Sequence, residues 1–242
     1  MMRSLIIALA FCLLVIESRG QAKEFYQLKI YHVKTKTQEA RVDEFLQNTW
    51  MPAVHKAGIK NIGVFKRIAQ DTAEQLIYVL IPYKSLEQFS KADYPNMDAV
   101  YNDVPYTRIE SVLLRAFKNM PRMQTPALTG PKRDRVYELR SYESPTEKYH
   151  INKVKMFNEG GEVDIFKRLD FNAIFYAEVL SGSRMPNLMY MTSFADQASR
   201  DAHWKAFSAD EQWKKLRAMS EYQNNVSKSD IMFLYPTEYS DY

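Results

Sequence analysis

Glu138, Arg140 and Tyr142 occupy alternate positions of "VYELRSYE" (136–143), so an extended strand places all three on one face. Tyr176 and Glu178 alternate in the same way within 171–180, and Tyr190 falls in the strand-like run 187–194. If Tyr137 and Leu139 turn toward covering helices, these polar groups point into the interior of the sheet structure. Arg140 is then able to grip a carboxylate through two parallel hydrogen bonds, and a desolvated Glu138 or Glu178 to take a proton. The same groups are equally able to satisfy one another as a buried ion pair, since an unpaired charge away from water is costly.

Other chemistry is thinly signalled. The four histidines, His32, His55, His150 and His203, are dispersed and form no metal-ligand spacing, so no metal site is expected. No cofactor is predicted, although haem held through one axial histidine needs no motif, and His203 beside Trp204 is then the candidate. A helix histidine bonded locally is the simpler reading of His203. Ser208 and Glu211 have capping-box spacing, which ends one helix near Phe207 and starts another. Trp204 and Trp213 are then packing anchors rather than a ligand cage. Glu159, Glu162 and Asp164 lack the loop of a calcium site and read as a solvated acidic face. Asn225-Val226-Ser227 matches a glycosylation triplet. No phosphate loop or nucleophile–base pair is visible.

The N-terminus predicts export. Arg3 precedes an apolar run (5–16) too short to span a bilayer, and Ser18 and Gly20 suit cleavage before Gln21. Cys12, the only cysteine, lies in that run, where a lipid anchor is the lesser reading. The mature chain then has no disulfide and no thiol nucleophile, in a periplasmic or secreted setting. A net charge of +4, well mixed with acids, gives no nucleic-acid footprint. No later stretch suits membrane insertion, and a homo-oligomer stays open.

The elements that must position these residues occur twice. "YQLKIYHV" (26–33) answers to "VYELRSYE" (136–143) at an offset of 111, matching Tyr26, Leu28 and Tyr31 with Tyr137, Leu139 and Tyr142. At 112, Phe45, Val54 and Ile59 meet Phe157, Phe166 and Phe171, and "LIYV" (76–79) meets "LMYM" (188–191). Each copy spells strand, helix, strand, strand, helix, strand, the ferredoxin-like order. The expected division is a signal over 1–20, a first repeat over 21–118, a Pro-rich linker over 119–134 and a second repeat over 135–242. Large apolar groups on both strand faces require a cover for the side without helices. Two stacked copies supply it, so the predicted fold is α+β: two tandem ferredoxin-like units forming an intramolecular barrel of the dimeric α+β type.

"NLMYMTSFADQASRDAHWKAFSADEQWKKL" (187–216), with "FNEGGEVDIF" before it and "NNVSKSDIMFLYPTEYSDY" after it, resembles the NIPSNAP family, in its exported bacterial form. The resemblance spans the second half and is loose in the first. It implies the dimeric α+β barrel fold and brings no established reaction. Related barrels include haem enzymes, cofactor-free monooxygenases and lactone isomerases, an analogy of fold only. The expectation is a small-molecule binder, or a cofactor-independent enzyme, using the barrel of the second repeat. The alternative is an interaction or assembly module whose barrel is filled. Gly160 and Gly161 fall opposite Asn48 and Thr49, just before Pro52, which favours a helix bend in both copies over a ligand approach in one.

Overall fold

The computed structural model describes residues 21–68, 74–99 and 101–242. The predicted signal and Cys12 lie outside the described residues. The first unit runs β1 (Phe25–Val33), α1 (Lys36–Phe45), α2 (Met51–Lys56), β2 (Gly63–Arg67), β3 (Gln75–Tyr83), α3 (Leu86–Ser90) and β4 (Arg108–Ala116). The second runs β5 (Val136–Glu143), α4 (Glu147–Asn158), α5 (Glu162–Arg168), β6 (Asn172–Ser181), β7 (Asn187–Phe194), α6 (Gln197–Ala209), α7 (Glu211–Ala218) and β8 (Lys228–Pro236). Among the described residues no helix is long and apolar enough to cross a membrane.

The strands close into one antiparallel barrel in the order β1-β3-β2-β8-β5-β7-β6-β4. Two seams join the units: β2 to β8, where Phe65 pairs with Pro236, and β4 to β6, where Leu114 pairs with Val179. Phe25 pairs with Tyr83 and Val136 with Phe194, so both strand pairs superpose at 111. The alignment of 76–79 with 188–191 at 112 is therefore one residue out. In a strand such a slip exchanges the two faces.

Strands β2, β3, β5 and β7 are buried on both sides, whereas β4 and β8 keep exposed residues at their starts. Tyr26, Leu28, Phe65, Leu80, Tyr137, Leu139, Phe175 and Met191 fill the barrel interior. Beneath the helices of the second unit lie Phe157, Phe166, Tyr176, Tyr190 and Phe207, and beneath those of the first lie Tyr31, Val42, Trp50, Val54 and Val79. Each such side chain contributes about 1.5–3 kcal/mol on leaving water.

Both long helices break at the same stage, as the glycine–proline correspondence predicts. In the first unit a π-helical turn, Leu46–Trp50, separates α1 from α2. Pro52 removes a donor to the preceding turn and crowds it, and the wider turn accommodates the ring. In the second unit Gly161 takes φ 84° at the start of α5, a left-handed conformation that costs other residues. A Cβ on Gly160 would lie 2.6 Å from the Met156 carbonyl and 2.9 Å from Leu216 Cδ1. Backbone geometry and helix packing account for the pair.

Several local expectations are corrected. Asp210, not Ser208, caps α7 by accepting from the Trp213 amide at 3.0 Å. Ser208 lies inside α6, where its hydroxyl donates to the Trp204 carbonyl at 2.8 Å. Glu162 is not solvated but 3% exposed, with Lys153 Nζ 2.9 Å away. Asn225 of the glycosylation triplet is buried, its amide donating to the Glu221 carbonyl. The linker is no loose tether: Met123 and Leu128 pack on the barrel core, and Gln124 donates to the Ile174 carbonyl.

Candidate functional site at the barrel mouth

The structure brings Glu138, Arg140, Tyr142, Tyr176 and Tyr190 together, but on the opposite side of the sheet from the one predicted. Tyr137 and Leu139 face the barrel interior, so Glu138, Arg140 and Tyr142 face the helices. The inversion has a simple cause: both faces are buried, so apolar residues on alternate positions do not reveal which side carries helices.

Glu138 is fully buried and saturated. It accepts from Arg140 Nε at 2.5 Å, from Arg200 Nε at 2.7 Å and from Trp204 Nε1 at 2.8 Å. Arg140 NH1 donates to the Tyr142 hydroxyl at 2.9 Å, and the Tyr142 and Tyr190 hydroxyls are 3.0 Å apart. Burial acts to lower the Arg140 pKa, but Tyr190, Tyr142 and Glu138 together hold it above its ordinary value. Burial drives the Tyr176 and Tyr190 phenols far up. Every charge here is paired inside the protein, which is the ion-pair reading of these residues rather than the binding one. Glu178 stands apart from them, held by Arg115 Nε at 2.9 Å. His203 binds the Ser199 carbonyl through Nδ1 at 2.6 Å and packs edge-on against Phe171, as a locally bonded helix histidine.

The barrel itself is filled at one end and open at the other. Tyr242 enters the closed end, with its ring centroid 5.9 Å from Phe65 and 6.2 Å from Tyr137. At the opposite end a cavity of about 440 Å³ opens to solvent. Its floor is aliphatic and sulfur-rich: Ile30, Leu76, Val112, Val179, Met189 and Met232. Its polar groups are Arg67, Tyr78, Glu110, Ser141, Arg184, Asn187 and Asp230. Such a volume and such a mixture suit a small organic ligand.

The strand positions explain this ring. Arg67 follows Phe65 by two residues on β2, and Glu110 precedes Leu114 by four on β4, so both share the inward face. Arg67 Nε donates to the Tyr78 hydroxyl at 3.2 Å, and the guanidinium forms no ion pair among the described residues. Burial raises the Tyr78 pKa, an effect that Arg67 partly offsets. Arg184, by contrast, is spent on Glu143 and Asp230.

The NIPSNAP family model matches residues 137–241. The match falls on the second unit. A protein described as a candidate monooxygenase from Lactobacillus acidophilus NCFM is 9% identical, with 88% of this chain and 94% of that chain covered and a TM-score of 0.55. An anthrone oxidase-like protein is 13% identical over 90% of this chain and 93% of that chain, with a TM-score of 0.54. A NIPSNAP family protein from Agrobacterium tumefaciens str. C58 is 20% identical and covers 44% of this chain and 96% of that chain, with a TM-score of 0.39. The first two likenesses extend over both units and are likenesses of fold. Comparison with curated proteins finds no match.

The matched segment supplies only part of the cavity. Ser141, Val179, Asn187, Met189 and Met232 come from it, whereas Ile30, Arg67, Leu76, Tyr78, Glu110 and Val112 come from the first unit. Sequence reasoning missed Arg67, Tyr78 and Glu110 because it sought the site in one repeat. Period-two counting from Phe65 and Leu114 finds them once the inward face is known.

Proposed function

We propose that this protein binds a small, mostly apolar organic molecule carrying an oxygen acceptor in the mouth of the barrel. One observation carries the reading: the barrel is stoppered at one end and left open over an apolar floor at the other. Arg67 and Tyr78 stand beside that floor as donors to the ligand's oxygen. Among the described residues the guanidinium, unlike that of Arg184, is not consumed by a carboxylate, so a ligand oxygen gives it a partner.

A bicyclic ketone, 1-tetralone, is a suitable first probe, since it pairs one acceptor with an apolar body. The name of one fold relative, anthrone oxidase-like protein, belongs to that protein and motivates only the choice of a ring ketone. Titration followed through ¹³C-methyl methionine signals is expected to move Met189 and Met232 on the cavity floor. Met51 and Met156, under the helices, should stay still. Equal shifts at all four, or none, would refute binding at the mouth.

The setting we propose is outside the cytoplasm. Its support is Arg3, the apolar run 5–16 and the small residues before Gln21. Intact mass after expression in an export-competent host should correspond to a chain starting at Gln21. Retention of the N-terminal run in the accumulated protein would count against it.

A further inference from the structure

The cavity carboxylate Glu110 does not stand alone. Its Oε1 accepts from His32 Nε2 at 2.8 Å and forms an ion pair with Arg108 NH1 at 2.8 Å. His32 is 3% exposed and lies on β1, on the inward face with Ile30. Across the imidazole, Nδ1 lies 2.9 Å from Glu74 Oε2, off the line of a hydrogen bond, at the start of β3. The Glu74 side chain is 39% exposed. A carboxylate in the cavity is therefore hydrogen-bonded to a buried imidazole, and the Glu74 carboxylate lies beside that ring without a hydrogen bond to it. Ile30 pairs with Glu110 on one side and with Tyr78 on the other, so Tyr78 and its neighbour Arg67 line the same cavity on the strands beyond β1 and offer O–H and N–H donors. A base sharing a cavity with a pair of oxyanion donors is suited to removing a proton next to a carbonyl.

We propose that the mouth is a proton-transfer site for enolisable ketones, with Glu110 as the base, held in place by His32. This rests on the binding reading above. In the step, a Glu110 oxygen takes the proton from the carbon adjacent to the carbonyl. The C–H electron pair becomes the new C=C bond, and the carbonyl π pair moves onto oxygen, where Arg67 and Tyr78 hold the enolate. Reversal returns a proton from Glu110 to carbon. No oxidant, reductant or metal is needed for the balance. His32 acts through Glu110 and is a positioning residue: its Nε2–H holds one carboxylate oxygen, and Glu110, whose side chain is 29% exposed, exchanges the captured proton with water. A structural role for the same pair would hold β1 and β4 together and leave the ligand's protons untouched.

The test uses the whole protein with 1-tetralone in D2O, following loss of the C2 proton signals by NMR. Exchange is expected about a hundredfold faster than with Glu110→Gln protein at the same concentration, within the usual range for a positioned base. The Glu110→Gln variant should still shift Met189 and Met232 on titration, so a fold defect would be seen as such. His32→Leu removes the donor that holds Glu110 and is expected to retain binding and to slow exchange at least about tenfold, and His32→Gln, which restores a donor, should recover part of the rate. If tetralone binds while wild-type exchange matches that of Glu110→Gln, proton transfer is refuted and binding stands. If His32→Leu exchanges like wild type, the positioning role of His32 is refuted. If tetralone does not bind at all, both readings fall together.

Discussion

Arg140 lies flat on Trp204, with its guanidinium carbon 3.6 Å from the indole centroid, while Trp204 Nε1 donates to the carboxylate that holds Arg140. Cation, ring and anion form one closed unit between sheet and helices. Replacing Glu138 by Gln leaves Arg140 and Arg200 without their shared anion, at a cost of about 3 kcal/mol. Urea denaturation should register that loss, while tetralone binding at the mouth stays at its wild-type affinity.

The two glycines make a second prediction. Gly161→Ala forces a side chain into φ 84° and should destabilise by about 1–2 kcal/mol. Gly160→Ala should cost more, because its Cβ meets the Met156 backbone, which cannot turn aside as a side chain can. Thermal unfolding is the measurement. Normal stability with lost ligand binding would instead make the pair a site.

A third concerns pH. Burial acts to raise the Glu39 pKa, but Lys36 and Lys66 outweigh it and hold it below its ordinary 4.5. A carboxyl depressed in the folded state contributes stability that is present above 4.5 and lost as pH falls through the folded value. Glu39→Gln should therefore unfold more readily at neutral pH and show a shallower loss of stability in acid. Parallel acid titrations of variant and wild type would contradict this.

Filling the mouth should separate binding from folding. Val112 lines the cavity and is only half-buried, so Val112→Phe adds volume to open space rather than to a packed core. Methionine signals should no longer respond to tetralone, with stability within about 0.5 kcal/mol of wild type, as expected of a substitution that neither opens a cavity nor overpacks.

The barrel was legible in the sequence because its strands and their duplication are written in period-two patterns that survive at an offset of 111. The orientation of those strands was not. Tyr137, Glu138 and Leu139 are each fully buried, so neither polarity nor hydrophobicity marks the inward side. Glu138 sits under helices because Arg200 and Trp204, some sixty residues later, complete its hydrogen bonds, and no local pattern announces partners that distant. Arg67 and Glu110 lacked any motif, since their significance arises only when two units close one ring. The helix break was readable at Gly160 and Gly161 because backbone conformation is a local property. The α7 cap was displaced by two residues because Ser208 and Asp210 are both competent, and Asp210 takes the place once α6 extends through Ala209.

Tyr242 gives the barrel a direction. With the far end stoppered, whatever occupies the mouth must leave by the path it took in, and there is no flow-through. A ligand and any product formed from it then compete for one doorway beside Arg67. Turnover at such a dead end is governed by how fast the occupant departs, and accumulated product should act as a competitive inhibitor.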